Sequence, residues 1–166
     1  MEQPDLLIRP IQPEDNSKIA FIIRSVLTEF KANKPGTVYF DPTTDELFRL
    51  FRKEGSFYLV AELDGRVIGG AGVYPTEGLE AGWCELVKLY LVKEARGKGI
   101  GKRLIESCIE KAYELGYQVM YLETMPELRM ALDLYKKCGF VQLPQPKGKS
   151  GHFGCDLWMA RELDKA

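Results

Sequence analysis

The feature that most constrains this chain is a glycine-rich turn between a strand-like run and an amphipathic helix. The turn spans residues 96–102 with the sequence RGKGIGK, follows the apolar run 86–92, and opens onto a helical pattern beginning near Ile100. Glycine lets the main chain approach a ligand closely, and the free N–H groups at a helix start favour an anion. The order of strand, turn and helix, with basic side chains around it, therefore predicts a site for a phosphate-bearing ligand.

Two familiar phosphate-binding motifs do not match this turn. A Walker P-loop requires Gly, four residues, and then Gly-Lys-Ser/Thr, but Lys102 is followed by Arg103, and the position five before Gly101 is Arg96. A dinucleotide-binding turn requires Gly-x-Gly-x-x-Gly, but here the glycines are evenly spaced at 97, 99 and 101. The spacing therefore disfavours both of these nucleotide sites.

The turn does match the pattern Arg/Gln-x-x-Gly-x-Gly/Ala, from Arg96 to Gly101. This is the acyl-CoA pyrophosphate motif of the GNAT (GCN5-related N-acetyltransferase) superfamily. A second family motif, Leu-Tyr-x-x-x-Gly-Phe, follows at residues 134–140, after a strand-like run at 118–124. With two independent motifs in the right order, the chain resembles a GNAT acetyltransferase, and we expect a single N-acetyltransferase domain over residues 5–162.

The resemblance implies an α/β fold with a mixed, strongly twisted β-sheet flanked by helices, and acetyl-CoA as co-substrate. In the family, the fourth and fifth strands splay apart, and the pantetheine arm of acetyl-CoA lies in the wedge between them. The pantetheine contacts would then fall on Leu89, Tyr90 and Leu91. The pyrophosphate contacts would fall on Arg96, Gly97, Lys98, Gly99, Ile100, Gly101 and Lys102.

Hydrophobic periodicity predicts the element order βααβββαβαββ. The predicted strands are 6–9, 57–63, 67–73, 84–92, 119–123, 140–143 and 153–160, and the predicted helices are 14–31, 45–53, 100–115 and 128–138. The Asp64-Gly65 pair predicts a tight hairpin between the second and third strands.

Acetyl transfer to an amine requires a base for the amine proton, donors for the developing oxyanion, and a proton or hydrogen bond for the departing sulfur. No Cys-His-Asp or Ser-His-Asp arrangement is readable, so we expect direct attack rather than an acyl-enzyme.

Glu85 is the candidate base. It lies eleven residues before Arg96, and this separation matches the position of the catalytic glutamate in the histone acetyltransferases of the family. A free glutamate has a pKa of about 4.3 and a lysine-like amine about 10.4, so a base at Glu85 needs a raised pKa, a water chain or a less basic amine. The alternative is an exposed strand glutamate, or one that only attracts the ammonium.

Tyr135 is the predicted acid, because the tyrosine of its motif points at the CoA sulfur in many family members. The alternative is a core aromatic with its hydroxyl at the edge.

Arg96 also has two interpretations: contact with a phosphate, or a brace for the loop. One position departs from the family, because Leu128 stands where many relatives have an asparagine that contacts CoA.

Four further residues are weaker predictions. Glu123 and Glu127 flank the expected cleft and could bind a cationic substrate, although Glu127 also suits a helix start. His152 could line the acceptor site, but a lone histidine is more often structural. Cys155 is expected to point into the core.

Composition limits the remaining possibilities. The chain has 166 residues and a net charge of −1, with no extended basic surface, which argues against nucleic acid as a partner. No apolar run is long enough to span a membrane, and four widely spaced cysteines with one histidine make a metal site improbable. We therefore expect a cytoplasmic protein, without a metal or a membrane partner, and with a homodimer possible.

The predicted function is acetyl-CoA-dependent N-acetylation of a primary amine on a small molecule, an amino-acid derivative or a peptide. An acyl-CoA-binding regulatory module without turnover is the alternative, and it would keep the glycine turn while losing the base and the acid. Transfer of a longer acyl group is a third possibility, set by the depth of the wedge.

Overall fold

A computed structural model describes residues 5–164 of the chain. Its centre is a seven-stranded mixed sheet with the order β1-β2-β3-β4-β5-β7-β6. Only the central β4–β5 pair is parallel, and the other neighbours are antiparallel. The predicted mixed sheet flanked by helices is thereby confirmed.

The elements follow the predicted order. The strands are β1 Leu6–Pro10, β2 Phe57–Leu63, β3 Arg66–Tyr74, β4 Trp83–Leu91, β5 Val119–Thr124, β6 Val141–Leu143 and β7 Leu157–Glu162. The helices are α1 Asn16–Glu29, α2 Leu47–Leu50, α3 Ile100–Glu114 and α4 Arg129–Lys137. The hairpin turn at Asp64 and Gly65 has positive φ at both residues, as the Asp-Gly pair predicts.

Helices cover both faces of the sheet, because each strand in the middle is apolar on both sides. One hydrophobic cluster packs α3 and α4 against alternate residues of the central strands, and a second packs α1 and α2 against the opposite face. The helical repeat of α1 explains its orientation, since Ile19, Ile23 and Leu27 are fully buried on one side. The sheet is thus held rigidly enough to position groups at its strand ends.

The parallel strands β4 and β5 pair over only three residues each. Trp83, Cys84 and Glu85 face Val119, Met120 and Tyr121, and beyond these pairs both strands continue without pairing to each other. Glu85 is therefore the last residue of β4 that is joined to β5. The gap that opens beyond it is the wedge that the resemblance predicts.

A β-bulge lies in β4 beside this wedge. Gly72 of β3 faces Val87, but Gly70 faces Tyr90, so two residues of β4 oppose one residue of β3. Lys88 has a φ of +54°, which is rare outside glycine. The Tyr58 hydroxyl donates a 2.9 Å hydrogen bond to the Lys88 carbonyl and helps to hold this conformation.

Two predicted elements are wrong in their bounds. The predicted helix 45–53 is a 3-10 turn at Pro42–Asp45 followed by the single turn of α2, and Asp41 caps the 3-10 turn by accepting from the Thr43 N–H at 2.9 Å. The last strand begins at Leu157 rather than at 153. Main-chain bonds from Gly154 to Gly36 and from Cys155 to His152 turn the chain before it enters the sheet.

Candidate active site

A cavity of about 420 Å³ occupies the wedge between β4 and β5 and runs to the start of α3. Its walls bring together most of the residues that the sequence predicts for the site. They include Glu85, Leu89, Tyr90, Leu91, Arg96, Gly97, Gly99, Ile100, Gly101, Lys102 and Tyr135. Lys98, which the sequence also predicts to contact the pyrophosphate, does not line this cavity and is exposed on the turn.

The glycine turn presents free main-chain donors to one end of the cavity. Gly97 and Gly99 have φ values of +75° and +78°, so the turn depends on a conformation that other residues resist. The first helical bond of α3 runs from the Arg103 N–H to the Gly99 carbonyl at 3.1 Å. The three amides before Arg103 therefore have no acceptor within the helix, and the helix dipole favours an anion beside them.

Gly101 serves a different purpose from the other two glycines. A Cβ there would lie 2.8 Å from Leu134 Cδ2, whereas a Cβ at Gly97 or Gly99 would meet nothing within 4 Å among the described residues. Steric obstruction thus explains Gly101, where α3 and α4 pack closely. Backbone conformation explains the other two.

The side chain of Arg96 braces the turn. Its guanidinium donates to the Leu91 carbonyl at 3.0 and 3.2 Å and to both carboxylate oxygens of Glu29 at 2.7 and 3.0 Å. It also lies 5.0 Å above the ring of Phe30. These contacts match the brace interpretation, and contact of Arg96 with a phosphate stays a prediction.

Glu85 lies at the point where β4 and β5 part, and it is only 3% exposed. One oxygen, Oε1, accepts a 2.6 Å hydrogen bond from the Thr76 hydroxyl. Burial, with a smaller contribution from the charge of Glu123, raises the pKa of Glu85 to about 7. The alternative of an exposed strand glutamate is therefore wrong, and the raised pKa is one of the conditions for a base at this position.

Tyr135 lies in α4 and packs edge-on against Phe140, with ring centroids 6.0 Å apart. It is 7% exposed. Burial raises the pKa of Tyr135 above the usual value for a phenol. The ring is a core aromatic whose residue also lines the cavity, and the role of Tyr135 as the acid stays a prediction.

The far end of the cavity carries a group of charged residues. One atom each of Glu85, Glu123 and His152 lie within 4.8 Å of one another. Both oxygens of Glu123 accept hydrogen bonds, one from the Tyr121 hydroxyl at 2.8 Å and one from Ser150. This set has the chemistry to bind a divalent cation, but its oxygens are largely engaged by protein donors, and the predicted absence of a metal stays a prediction.

Asp41, His152 and Lys88 form a second set at the same end. Asp41 Oδ2 lies 3.0 Å from His152 Nε2 and 3.5 Å from Lys88 Nζ. Burial opposes the charge on Asp41, but His152, Lys88 and Thr43 outweigh it and hold the pKa of Asp41 below its usual range. Burial in turn lowers the pKa of Lys88.

The sequence missed Lys88 and Asp41. A lysine inside the apolar run 86–92 was a visible signal, because charged residues are rarely buried without a partner. Asp41 lies in a loop, and nothing in the sequence links it to β4. Among the further predicted residues, His152 and Cys155 both line the cavity. Glu127 instead pairs with Lys34 at 2.8 Å and does not line the cavity.

Known proteins resemble this chain over most of its length. The model of the Acetyltransferase (GNAT) family matches residues 23–140. The uncharacterized N-acetyltransferase YjgM of Escherichia coli (strain K12) is 40% identical over 159 residues, which cover 95% of each chain.

Solved structures agree with these sequence relatives. An acetyltransferase of the GNAT family from Staphylococcus aureus Mu50 has a TM-score of 0.85 at 19% identity, over 96% of this chain and 100% of that one. A GNAT superfamily phosphinothricin acetyltransferase from Sinorhizobium meliloti, solved in complex with acetyl-CoA, has a TM-score of 0.74 at 26% identity, over 95% of this chain and 88% of that one.

Proposed function

The chain belongs to the GNAT family of acetyltransferases, and we propose that it transfers acetyl from acetyl-CoA directly to the primary amine of a small molecule, an amino-acid derivative or a peptide. Glu85 is the base in this proposal, and Tyr135 assists the departing sulfur. The observation that carries it is the position of Glu85, which is buried, has a pKa of about 7, and lies where β4 and β5 part, in the same cavity as Tyr135 and the glycine turn.

The cavity fits acetyl-CoA as a co-substrate in three respects. The free amides at the start of α3, beside Lys102, suit a pyrophosphate. Leu89–Leu91 of β4 pair with β3 but not with β5, so their β5 side lies beside the wedge, where the pantetheine amides would bind. The hydroxyl of Thr124, at the end of β5, is buried and has no hydrogen-bond partner among the described residues, so a bound polar chain would satisfy it.

The base step is feasible with the raised pKa of Glu85. A pKa of about 7 reduces the gap to a lysine-like ammonium from about 6 pKa units to about 3. The ammonium gives one proton to Glu85, and the free amine attacks the thioester carbonyl. A C–N bond forms, the C–S bond breaks, and the nitrogen loses its second proton, so the products are an amide, a thiol and one released proton.

Tyr135 acts on the departing sulfur. Its raised pKa makes full proton transfer to a thiolate more uphill than for an ordinary phenol. A hydrogen bond from the hydroxyl still stabilises the negative charge on sulfur. We therefore assign Tyr135 as the hydrogen-bond donor that assists the leaving group, with solvent as the final source of the proton.

The proposal places the reaction in the cytoplasm. All four cysteines are free, which supports a reducing compartment. No helix in residues 5–164 has the length and apolar character needed to cross a membrane. The predicted homodimer stays a prediction.

Two variants test the assigned roles. Release of CoA thiol is measured with acetyl-CoA and a panel of amines, and thermal shift with CoA reports donor binding. We expect Glu85→Gln to lower kcat at least about 100-fold, because a general base contributes about 100-fold or more. We expect Tyr135→Phe to lower kcat about tenfold or more, because a hydrogen bond to a charged group contributes about 1.5 kcal/mol or more. The thermal shift with CoA should be retained in both.

Matched controls lie on the exposed side of α3. Glu114→Gln and Tyr113→Phe make the same chemical changes at exposed positions and should leave kcat unchanged. Wild-type turnover in both site variants would overturn the roles of Glu85 and Tyr135. A thermal shift with ATP or NAD, but not with CoA, would overturn the donor assignment.

A further inference from the structure

The bulge in β4 places a lysine beside the base. Residues Cys84 and Leu86 face the α3 side of the sheet, and so do Leu89 and Leu91, which requires one extra residue between the two pairs. Lys88 is that residue. Its side chain is 3% exposed, it reaches Asp41, and it lines the same cavity as Glu85.

The hydrogen bonds of Lys88 are incomplete. An ammonium has three donors, but among the described residues the Nζ atom has one acceptor, Asp41 Oδ2, at 3.5 Å. That distance is at the long limit for a hydrogen bond. A buried ammonium with two free donors is destabilised, and an added anion would stabilise it.

The other charged groups at this end are already satisfied. Glu123 accepts from Tyr121 and Ser150, and Asp41 accepts from Thr43 at one oxygen and from His152 at the other. Among the carboxylates and the lysine described at this end, the open groups are one oxygen of Glu85, whose partner oxygen accepts from Thr76, and two donors of Lys88. The complement of these open groups is a molecule with one cationic donor and one anionic acceptor.

We propose that the acceptor is a small zwitterion such as a free amino acid, with its ammonium group at Glu85 and its carboxylate at Lys88. The inference rests on the proposed function and names the substrate class for that site. Lys88 is then the residue that determines acceptor specificity. Lys88 follows Glu85 by three residues in β4, and both line the same cavity.

Matched acceptors test the proposal. kcat/KM is measured for free amino acids, for their carboxamides, and for the decarboxylated amines. We expect each accepted amino acid to exceed both derivatives about tenfold or more, which corresponds to about 1.4 kcal/mol of binding. The carboxamide has a more acidic ammonium and the decarboxylated amine a less acidic one, so a preference over both cannot arise from amine basicity.

Three lysine variants separate charge from fold. Lys88→Met should lower kcat/KM for amino acids about tenfold, mainly through KM, and leave the carboxamides unchanged. Lys88→Arg keeps the charge and should retain the preference. Lys18→Met removes an exposed lysine of α1 and should change nothing, while thermal shift with CoA verifies that each variant is folded.

The outcomes distinguish this inference from the proposed function. If carboxamides or decarboxylated amines are the preferred acceptors, the proposal of a zwitterionic acceptor is wrong, while the proposed acetyltransferase activity is still supported. An unchanged preference in Lys88→Met would also overturn it. No turnover with any amine, in protein that still binds CoA, would count against the proposed function, and the inference would fall with it.

Discussion

Glu85 shows how a single side chain can link stability to activity. The pKa of its carboxyl is about 7 in the folded protein, against 4.5 for an unperturbed glutamate, because the folded chain removes it from water and places Glu123 nearby. Burial of a carboxyl destabilises the charged form, which is also the form that accepts a proton. A carboxylate that can accept a proton is therefore present at neutral pH at a cost to folding.

This coupling predicts a pH dependence of stability. A raised pKa in the folded state gives stability that is complete below pH 4.5 and is lost as the pH rises through about 7. We expect the free energy of unfolding of the wild type, relative to Glu85→Gln, to fall by roughly 3 kcal/mol between pH 4.5 and pH 8. Urea unfolding of both proteins at the two pH values measures the difference.

The control for this prediction is Glu114→Gln, which changes an exposed glutamate and should track the wild type at both pH values. Parallel pH dependence of the wild type and Glu85→Gln would mean that the carboxyl ionises normally. The assignment of Glu85 as a neutral-pH base would then lose its support.

At the scale of elements, the turn before α3 has a backbone conformation that glycine adopts readily and other residues do not, and this turn lines the cavity. Gly99 and Gly116 lie at opposite ends of this helix, both at positive φ and both with open space where a Cβ would stand. An alanine at either position costs backbone strain alone, on the order of 1 kcal/mol. The two positions differ in location, because only Gly99 lines the cavity.

We therefore expect Gly99→Ala and Gly116→Ala to lower stability by similar amounts, while only Gly99→Ala raises KM for acetyl-CoA. The physical reason is that the free amides beside Gly99 must keep their direction to bind a pyrophosphate. Thermal unfolding and initial-rate kinetics on both variants measure the two effects. Equal KM values in the two variants would show that the turn does not bind the donor.

At the scale of the whole molecule, residues from distant segments form the far end of the cavity. Asp41 follows α1, Glu85 and Lys88 lie in β4, Glu123 in β5, and His152 in the loop before β7. The sheet order brings β4, β5 and β7 together, and the loop after α1 closes over them through the Asp41 contacts with His152 and Lys88. The site therefore depends on the complete sheet rather than on one motif.

This assembly leads to a prediction about metals. Glu85, Glu123 and His152 lie close enough to bind an ion, but protein donors occupy three of the four carboxylate oxygens. We expect dialysis against EDTA to leave kcat and the unfolding temperature unchanged, measured before and after dialysis. Lost activity that Zn²⁺ or Mn²⁺ restores would instead establish the cluster as a metal site.

The order of elements, the glycine turn and the Leu-Tyr-x-x-x-Gly-Phe motif could be predicted from the amino-acid sequence, because hydrophobic periodicity, turn residues and contiguous motifs are local properties. The same patterns identified Glu85 and Tyr135, and both line the cavity. The environment of Glu85, the brace at Arg96, and the contacts of Asp41 with Lys88 and His152 could be seen only in the folded chain. These depend on burial, on a bulge that re-aims one side chain, and on contacts between residues as far apart as Asp41 and His152, none of which a local pattern encodes.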